Sequence, residues 1–267
     1  MSGALNLTET VDARTAELAT NLSGLLQRID AACLASGRDS DTVRLLPVTK
    51  FFPAADVAIL YRLGRREFGE SREQEATAKV AGLPTLVRQG VDAARSGAES
   101  DEGLSDVHWH MIGRLQRNKA KVVARWAHTV HSVDSERLAT ALDAGARAAL
   151  DAGDRTDPLH VLLQVSLDDD PSRGGVAPED LAALAEHVAA SPGLRLSGLM
   201  AIPPLGAESD ASFARLAILH TRMLAEHPGA TELSAGMSGD LESAIQHGST
   251  VVRVGTALMG ARPITSA

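Results

Sequence analysis

The sequence predicts a single α/β domain, a (β/α)₈ TIM-type barrel with an extra N-terminal helix at 8–36. Short apolar runs alternate with helical stretches from residue 44 onward, which is typical of a parallel sheet. Eight such units fit between residues 44 and 255, close to the usual barrel size of about 250 residues. No GxGxxG follows the first run, which argues against the alternative, an open doubly wound sheet that binds a dinucleotide.

The elements follow from local patterns. In the first helix, Leu18, Leu22, Leu25 and Ile29 recur at three- and four-residue steps, and Gly37 supplies a stop. Residues 81–106 combine Gly, Ser, Asp and Glu with weak periodicity, so we expect a surface excursion there. Strands are predicted at 44–50, 66–70, 108–113, 128–134, 160–167, 195–202, 231–236 and 250–255. Helices are predicted at 53–63, 72–80, 115–127, after 135, and at 178–190, 210–226 and 240–247.

Composition excludes several classes of protein. The net charge of -8 argues against nucleic-acid binding, which needs basic surface. Aromatics make up only 3% of the chain, so the core must consist mostly of Ala, Leu and Val. No apolar stretch is long enough for a membrane span, and the N-terminus lacks the apolar run of a signal peptide. Cys33 stands alone, so we expect a buried packing residue in a cytoplasmic protein.

Lys50 is the first candidate for chemistry. It closes the first predicted strand, and functional groups of such barrels gather at the C-terminal ends of strands. If its amine lies inside the barrel mouth, desolvation lowers its pKa and makes it a nucleophile toward aldehydes. On position alone, a lysine whose ammonium group reaches solvent is the more common case, so both interpretations stay open.

The loops after the seventh and eighth strands form the second candidate, because phosphate groups commonly bind there in barrels. Gly255 lets the backbone approach a ligand closely. Ser238 and Thr256 add hydroxyl donors, and Asp240 can cap the following helix. Ordinary loop and cap residues would give the same pattern, so spacing alone does not decide between the two.

A metal site is a weaker hypothesis. His108 and His110 share one strand face, but no third ligand follows at a recognisable spacing. The acidic run 168–170 precedes Pro171, which favours a solvated turn over a divalent-ion site. We therefore expect no metal.

At these clusters the sequence resembles the pyridoxal phosphate homeostasis protein family, which is related to the alanine racemase barrel. Matching blocks run in family order from residue 45 to 262, and the last block is the most specific. Ser71 departs from the usual FGEN, and Ala235 replaces a commoner methionine. The blocks are LLPVTKFFP (45–53), FGESREQEA (68–76), HMIGRLQRNK (110–119), SVDS (132–135), GLMAIPP (198–204) and LSAGMSGDLESAIQHGSTVVRVGTALMG (233–260).

The resemblance implies that Lys50 carries pyridoxal 5'-phosphate (PLP) as a Schiff base and that Arg253 lies beside the pyridine nitrogen. It implies that Ser238, Gly255 and Thr256 surround the phosphate, and that Met200 and His110 line the pocket.

From this resemblance we expect a cytoplasmic, monomeric PLP-binding protein of vitamin B6 homeostasis, with no catalytic turnover and no C-terminal β domain. PLP-dependent apoenzymes are its expected recipients, and neither nucleic acid nor membrane is a partner. Three alternatives stay open: a PLP-dependent amino-acid racemase, a Schiff-base aldolase that uses Lys50 without a cofactor, and a regulatory protein in which PLP is incidental.

Overall fold

Eight parallel strands form a barrel surrounded by helices. The structure, a computed structural model, describes residues 2–92, 106–168, 174–204 and 209–262. The strands are β1 (Arg44–Pro47), β2 (Glu67–Glu70), β3 (His108–Met111), β4 (Thr129–Val133), β5 (Leu159–Gln164), β6 (Leu194–Met200), β7 (Glu232–Ser234) and β8 (Val251–Val254). The helices are α1 (Ser2–Ala35), α2 (Ala54–Arg62), α3 (Glu73–Asp92), α4 (Ala120–Trp126), α5 (Glu136–Asp151), α6 (Leu181–Ala189), α7 (Ser209–Glu226), α8 (Leu241–Gln246) and α9 (Thr256–Met259).

The strand order confirms the predicted fold. Neighbours in the sheet follow the order β1-β8-β7-β6-β5-β4-β3-β2. The remaining gap between β1 and β2 is bridged by a parallel pair, Val48 and Gly69. There the Thr49 N–H donates to the Gly69 carbonyl at 3.0 Å. The sheet is therefore closed on itself, as the alternation of strands and helices predicts.

The outer faces of the strands pack against the helices. Buried side chains form two apolar clusters, one around β3 to β7 with α4 to α7 and the other around β1, β2 and β8 with α1, α2 and α3. Cys33 belongs to the second cluster and is buried, as predicted. None of the helices within the described ranges is both long and apolar enough to cross a membrane.

The predicted surface excursion at 81–106 is wrong for its first part. Helix α3 continues to Asp92, and Pro84 lies within it. Leu83 and Val87 are buried in the second apolar cluster. Their four-residue spacing places them on one face of the helix, so packing outweighs the helix-breaking tendency of Gly82 and Pro84. Residues 93–105 lie outside the described residues.

The first strand is shorter than the predicted 44–50. Regular pairing of β1 with β8 ends at Pro47 opposite Val254, and Lys50 lies in the turn that follows. The turn begins where the Phe52 N–H donates back to the Thr49 carbonyl at 3.1 Å. Lys50 is thus a residue of the barrel mouth rather than of the strand itself. Helix α9, directly after β8, was not predicted.

Candidate active site

Lys50 lies half-buried at the barrel mouth. Its pKa is lowered, first by burial, then by the positive charges of Arg262, Arg253 and Arg72. Glu70 acts in the opposite direction, but more weakly than Arg262 and Arg253. A lowered pKa leaves more of the amine neutral at a given pH, and the neutral amine is the form that attacks an aldehyde.

The residue after Lys50 has an unusual backbone. Phe51 has a φ of 70°, in the left-handed region that non-glycine residues seldom adopt. The Arg72 and Arg262 guanidinium carbons lie 4.9 and 4.7 Å from the centre of its ring, and Lys50 Nζ lies 5.9 Å from it. One aromatic ring thus gathers three cations, an arrangement that aromatic faces favour. The mouth is positively charged although the whole chain is acidic.

Arg253 is buried in the barrel interior. Its Nη1 donates to Ser234 Oγ at 2.7 Å and its Nη2 to the Ala201 carbonyl at 2.9 Å. Burial lowers its pKa to about 10. Both of these partners are neutral, so the guanidinium charge is available to act on a ligand.

A hydrogen-bonded chain continues from Arg253 across the barrel. Ser234 Oγ lies 3.0 Å from His131 Nδ1, and His131 Nε2 lies 2.9 Å from His110 Nδ1. Strands β5 and β6 separate β4 from β7 in the sheet, so the contact between His131 and Ser234 passes through the interior. Burial and neighbouring positive charges hold the pKa values of both histidines well below the ordinary 6.5.

One buried atom of this chain lacks a partner. His110 Nε2 is buried and makes no hydrogen bond with any of the described residues. The guanidinium of Arg253 can only donate, so Ser234 Oγ accepts from it and is free to donate its own hydrogen to His131 Nδ1. His131 then carries its hydrogen on Nε2 and donates it to His110 Nδ1. The N–H of His110 is then left on Nε2. Leaving a buried N–H without an acceptor costs free energy. A polar ligand that accepts from His110 Nε2 would remove this cost.

The two predicted phosphate loops are neighbours. Ser238, in the loop between β7 and α8, accepts from the Ala257 N–H at 3.3 Å. Thr256, beside Ala257, is exposed. A Cβ placed on Gly255 would lie 3.6 Å from the Val48 carbonyl, two residues before Lys50. The fold therefore brings Ser238 against the segment that contains Thr256 and brings Gly255 close to the end of β1.

Asp240 does not cap α8 as expected. It occupies the N-cap position, yet its side chain makes no capping bond. Instead its Oδ1 accepts from the Met237 N–H at 2.6 Å, which holds the loop before the helix.

The structure brings together most of the predicted residues. Met200, fully buried, ends β6 opposite Ser234, next to the Ala201 carbonyl that Arg253 contacts. Arg253 and His110 belong to one hydrogen-bonded chain, and Ser238 and Thr256 to one pair of loops. Lys50 is linked to Arg253 through charge alone. In the part of the chain that the structure describes, no group of three or more His, Cys, Asp or Glu side chains could hold a metal ion.

Sequence reasoning missed several residues of this site. Arg72 and Arg262 stand outside the strands and share no spacing signal. His131 was missed although it lies within a predicted strand. Its inward position follows from the two-residue alternation of a strand, which could have placed it in the barrel interior.

Comparison with known proteins identifies the family of this chain. Residues 26–263 match the family described as alanine racemase, N-terminal domain. A pyridoxal phosphate homeostasis protein from Mycobacterium bovis is 53% identical over 95% of this chain and 96% of its own length. The solved structure of PipY from Synechococcus elongatus with PLP bound is 33% identical, with a TM-score of 0.71 over 91% of this chain and all of that chain.

An alanine racemase from Clostridium difficile shares the fold alone. Its structure has a TM-score of 0.64 at 15% identity, and the match covers 93% of this chain but 60% of the racemase. The chain is more than 50% identical to a curated relative over almost its whole length. It therefore belongs to the family of pyridoxal phosphate homeostasis proteins, whose barrel is the alanine racemase N-terminal domain.

Proposed function

We propose that this protein binds PLP covalently through Lys50 and acts in PLP homeostasis. The observation that carries the proposal is the Lys50 amine, half-buried at the barrel mouth, with its pKa lowered by burial and by neighbouring arginines. Lys50 would hold PLP through the cofactor's aldehyde, with its amine as the nucleophile and with release of one water molecule. The family membership and the PLP-bound PipY structure support the same cofactor.

The donors around Lys50 suit the other ends of PLP. Ser238 and Thr256, with the backbone at Gly255, would hold the phosphate. Arg253 would face the pyridine nitrogen, and its charge would disfavour protonation of that nitrogen. His110 and Met200 would line the ring. These groups offer the chemistry that the parts of the cofactor need: hydroxyl and N–H donors for an anion, a cation for a nitrogen lone pair, and the apolar Met200 side chain for a ring.

We further propose that the protein holds and releases PLP without catalysing amino-acid chemistry. Racemisation needs an acid or base on each face of the substrate carbon, and Lys50 supplies one. The single tyrosine of the chain, Tyr61, lies on α2, where its ring stacks 4.0 Å from the Arg66 guanidinium. It is thereby engaged on the outside of the barrel wall. Curated relatives are named as homeostasis proteins.

We expect the protein to act as a monomer in the cytoplasm and to pass PLP to PLP-dependent apoenzymes.

An absorbance titration with PLP tests the binding site. Wild-type protein should develop the band of a Schiff base, and Lys50→Ala should bind PLP without that band. Lys121→Ala, which removes an exposed amine on α4, is the matched control and should behave as wild type. A band that survives in Lys50→Ala would place the bond on another lysine.

Turnover distinguishes the racemase alternative. PLP-loaded protein is incubated with L-alanine in deuterated water, and deuterium at the α carbon and the D-enantiomer are followed. We expect negligible exchange. Ordinary enzymes turn over about once per second or faster. A turnover in that range that is lost in Lys50→Ala would make the racemase the better assignment.

A further inference from the structure

A buried ion cluster lies directly behind the Lys50 turn. It consists of Glu70, at the end of β2, with Glu75 and Lys79 on α3, and is called the Lys79 cluster below. Lys79 Nζ donates to Glu70 Oε1 at 2.8 Å and to Glu75 Oε1 at 2.7 Å. Glu70 and Lys79 are 0% and 5% exposed. Burying a charge to this extent costs free energy unless the charge is paired. We therefore asked which function the cluster could serve.

The Lys79 cluster lies on the outer side of the barrel wall. Phe68 shares a strand face with Glu70 and packs in the apolar cluster formed with α2 and α3. Lys50 is placed on the other side, facing the mouth. No member of the cluster is therefore expected to touch a ligand bound in the barrel.

The cluster binds both neighbours of Lys50. On one side, Lys79 Nζ donates to the Thr49 carbonyl at 2.8 Å, and Thr49 Oγ1 donates to Glu70 Oε1 at 2.6 Å. On the other side, the Phe51 N–H donates to Glu75 Oε1 at 2.7 Å. Three charged side chains thus fix the residue before Lys50 and the residue after it.

The Phe51 contact bears on a strained backbone. With a φ of 70°, Phe51 is in a conformation that persists only when its surroundings hold it there. A hydrogen bond from an N–H to a carboxylate is among the strong ones, and here it acts at the strained residue itself. The bond from Phe51 to Glu75, which Lys79 also contacts, therefore holds the backbone that follows Lys50.

We propose that the Lys79 cluster positions Lys50 for bond formation with the aldehyde of PLP, without contacting the cofactor. The inference rests on the proposed function, because it assigns a purpose to the geometry of the same lysine. Glu70, Glu75 and Lys79 are positioning residues in this account. A purely structural cluster would instead affect every ligand of the barrel alike, through stability.

Two ligands separate these possibilities. Pyridoxine 5'-phosphate carries an alcohol where PLP carries the aldehyde, so it fills the same pocket but forms no bond to Lys50. The ratio of the two affinities reports the bond to Lys50 alone. In Lys79→Met, we expect this ratio to fall about tenfold, the effect of losing roughly one charge-assisted hydrogen bond, while pyridoxine 5'-phosphate binds as in wild type.

Arg44→Met is the matched control. Arg44 begins β1 and contacts two carboxylates, Glu67 Oε1 at 2.7 Å and Glu232 Oε1 at 2.8 Å, at the opposite end of the strand from Lys50. Its loss removes a cation from a more exposed cluster of two carboxylates without touching the Lys50 turn. The affinity ratio should stay at the wild-type value, whatever the change in stability.

Several results would overturn the inference. A wild-type ratio in Lys79→Met would do so, and so would an equal fall of the ratio in Lys79→Met and Arg44→Met. If Lys79→Met does not fold, Glu75→Leu and Glu75→Gln replace it. Glu75→Leu removes the acceptor for the Phe51 N–H and should lower the affinity ratio. Glu75→Gln keeps an oxygen at that position, so its affinity ratio should be close to that of wild type. Wild-type ratios in both variants would refute the positioning role.

The wild-type protein separates this inference from the proposed function. Equal wild-type affinities for PLP and pyridoxine 5'-phosphate would mean that no bond to Lys50 forms, and both proposals would fall. A clear preference of wild type for PLP, unchanged in the variants, would refute the positioning role alone.

Discussion

At the scale of single residues, covalent binding of PLP would depend on the chemistry of Lys50. Its position near the end of an apolar strand was visible in the sequence, and the family resemblance chose between a solvated lysine and a reactive one. The charges that act on it were not visible. Arg72 and Arg262 lie far apart in the chain, and both lie over the Phe51 ring in the folded protein.

The pH dependence of bond formation tests this environment. Burial and positive neighbours lower the Lys50 pKa below the ordinary 10.5, so the neutral amine predominates from a lower pH. The rate of Schiff base formation with PLP should therefore level off at a lower pH than with free Nα-acetyl-lysine. Stopped-flow absorbance at a series of pH values measures this, and a midpoint equal to that of the free amine would contradict it.

Arg262 should account for part of the shift, since its charge has the largest effect on Lys50 after burial. In Arg262→Gln, the pH midpoint should rise. The rate near neutral pH should fall about two- to fivefold, as expected for one partly screened charge worth ~0.5–1 kcal/mol. Arg195→Gln, an exposed arginine on β6, serves as the control and should leave the midpoint in place.

At the scale of elements, most strands and helices were predicted within a few residues. The exceptions have local causes. Helix α3 runs through Gly82 and Pro84 because Leu83 and Val87 are buried, and packing of that kind cannot be read from propensity. Helix α9 has four residues, too few to show a period.

The loops after β7 and β8 should recognise the phosphate group. Ser238→Ala combined with Thr256→Ala removes two hydroxyls from the neighbouring loops. A hydrogen bond to a charged group contributes about 1.5–3 kcal/mol, so PLP should bind at least tenfold more weakly. Pyridoxal, which has no phosphate, should be affected little. Isothermal titration with both ligands measures the difference, and equal losses would place the phosphate elsewhere.

Two glycines of the same loop should differ in their tolerance of a side chain. Gly236 has a φ of +89°, and a Cβ there would lie 2.6 Å from the Ala244 Cβ. Gly236→Ala should therefore cost about 1–3 kcal/mol of unfolding free energy. At Gly239 nothing lies within 4 Å of an added Cβ, so Gly239→Ala should stay within about 0.5 kcal/mol of wild type. Urea denaturation compares the two, and similar losses would refute the loop geometry.

At the scale of the whole molecule, the barrel has two different cores. The layer between strands and helices is built mainly from Ala, Leu and Val, as composition predicts. The interior holds polar side chains as well, and the sequence indicated only part of its lining: His110, Met200 and Arg253 were expected there, whereas His128, His131 and His160 were not. Inward-facing histidines line it: the His108 and His128 rings stack at 3.8 Å and the His128 and His160 rings at 4.8 Å.

These histidines should make stability depend on pH. Burial, followed by neighbouring positive charges, lowers the pKa of His128 to about 3 and those of His110 and His131 well below 6.5. Below pH 6.5 the unfolded chain therefore binds more protons than the folded one, and stability falls as pH falls. Each fully buried histidine contributes up to about 1.4 kcal/mol per pH unit.

Urea denaturation between pH 7.5 and 5.0 measures this effect. The unfolding free energy should decrease steadily below pH 6.5, and His128→Asn should flatten the slope by the share of one histidine. A stability that is constant down to pH 5.5 would show that these side chains do not remain neutral in the folded barrel.

The central claim is the covalent bond to Lys50, and borohydride reduction followed by peptide mapping tests it most directly. The chain has four lysines, Lys50, Lys79, Lys119 and Lys121. Lys79 and Lys119 are engaged by carboxylates at 2.8 and 3.1 Å, and Lys121 is exposed on α4. After one equivalent of PLP and reduction, we expect the phosphopyridoxyl mass on the peptide that contains Lys50. A label spread over the other lysines, or undiminished in Lys50→Ala, would contradict it.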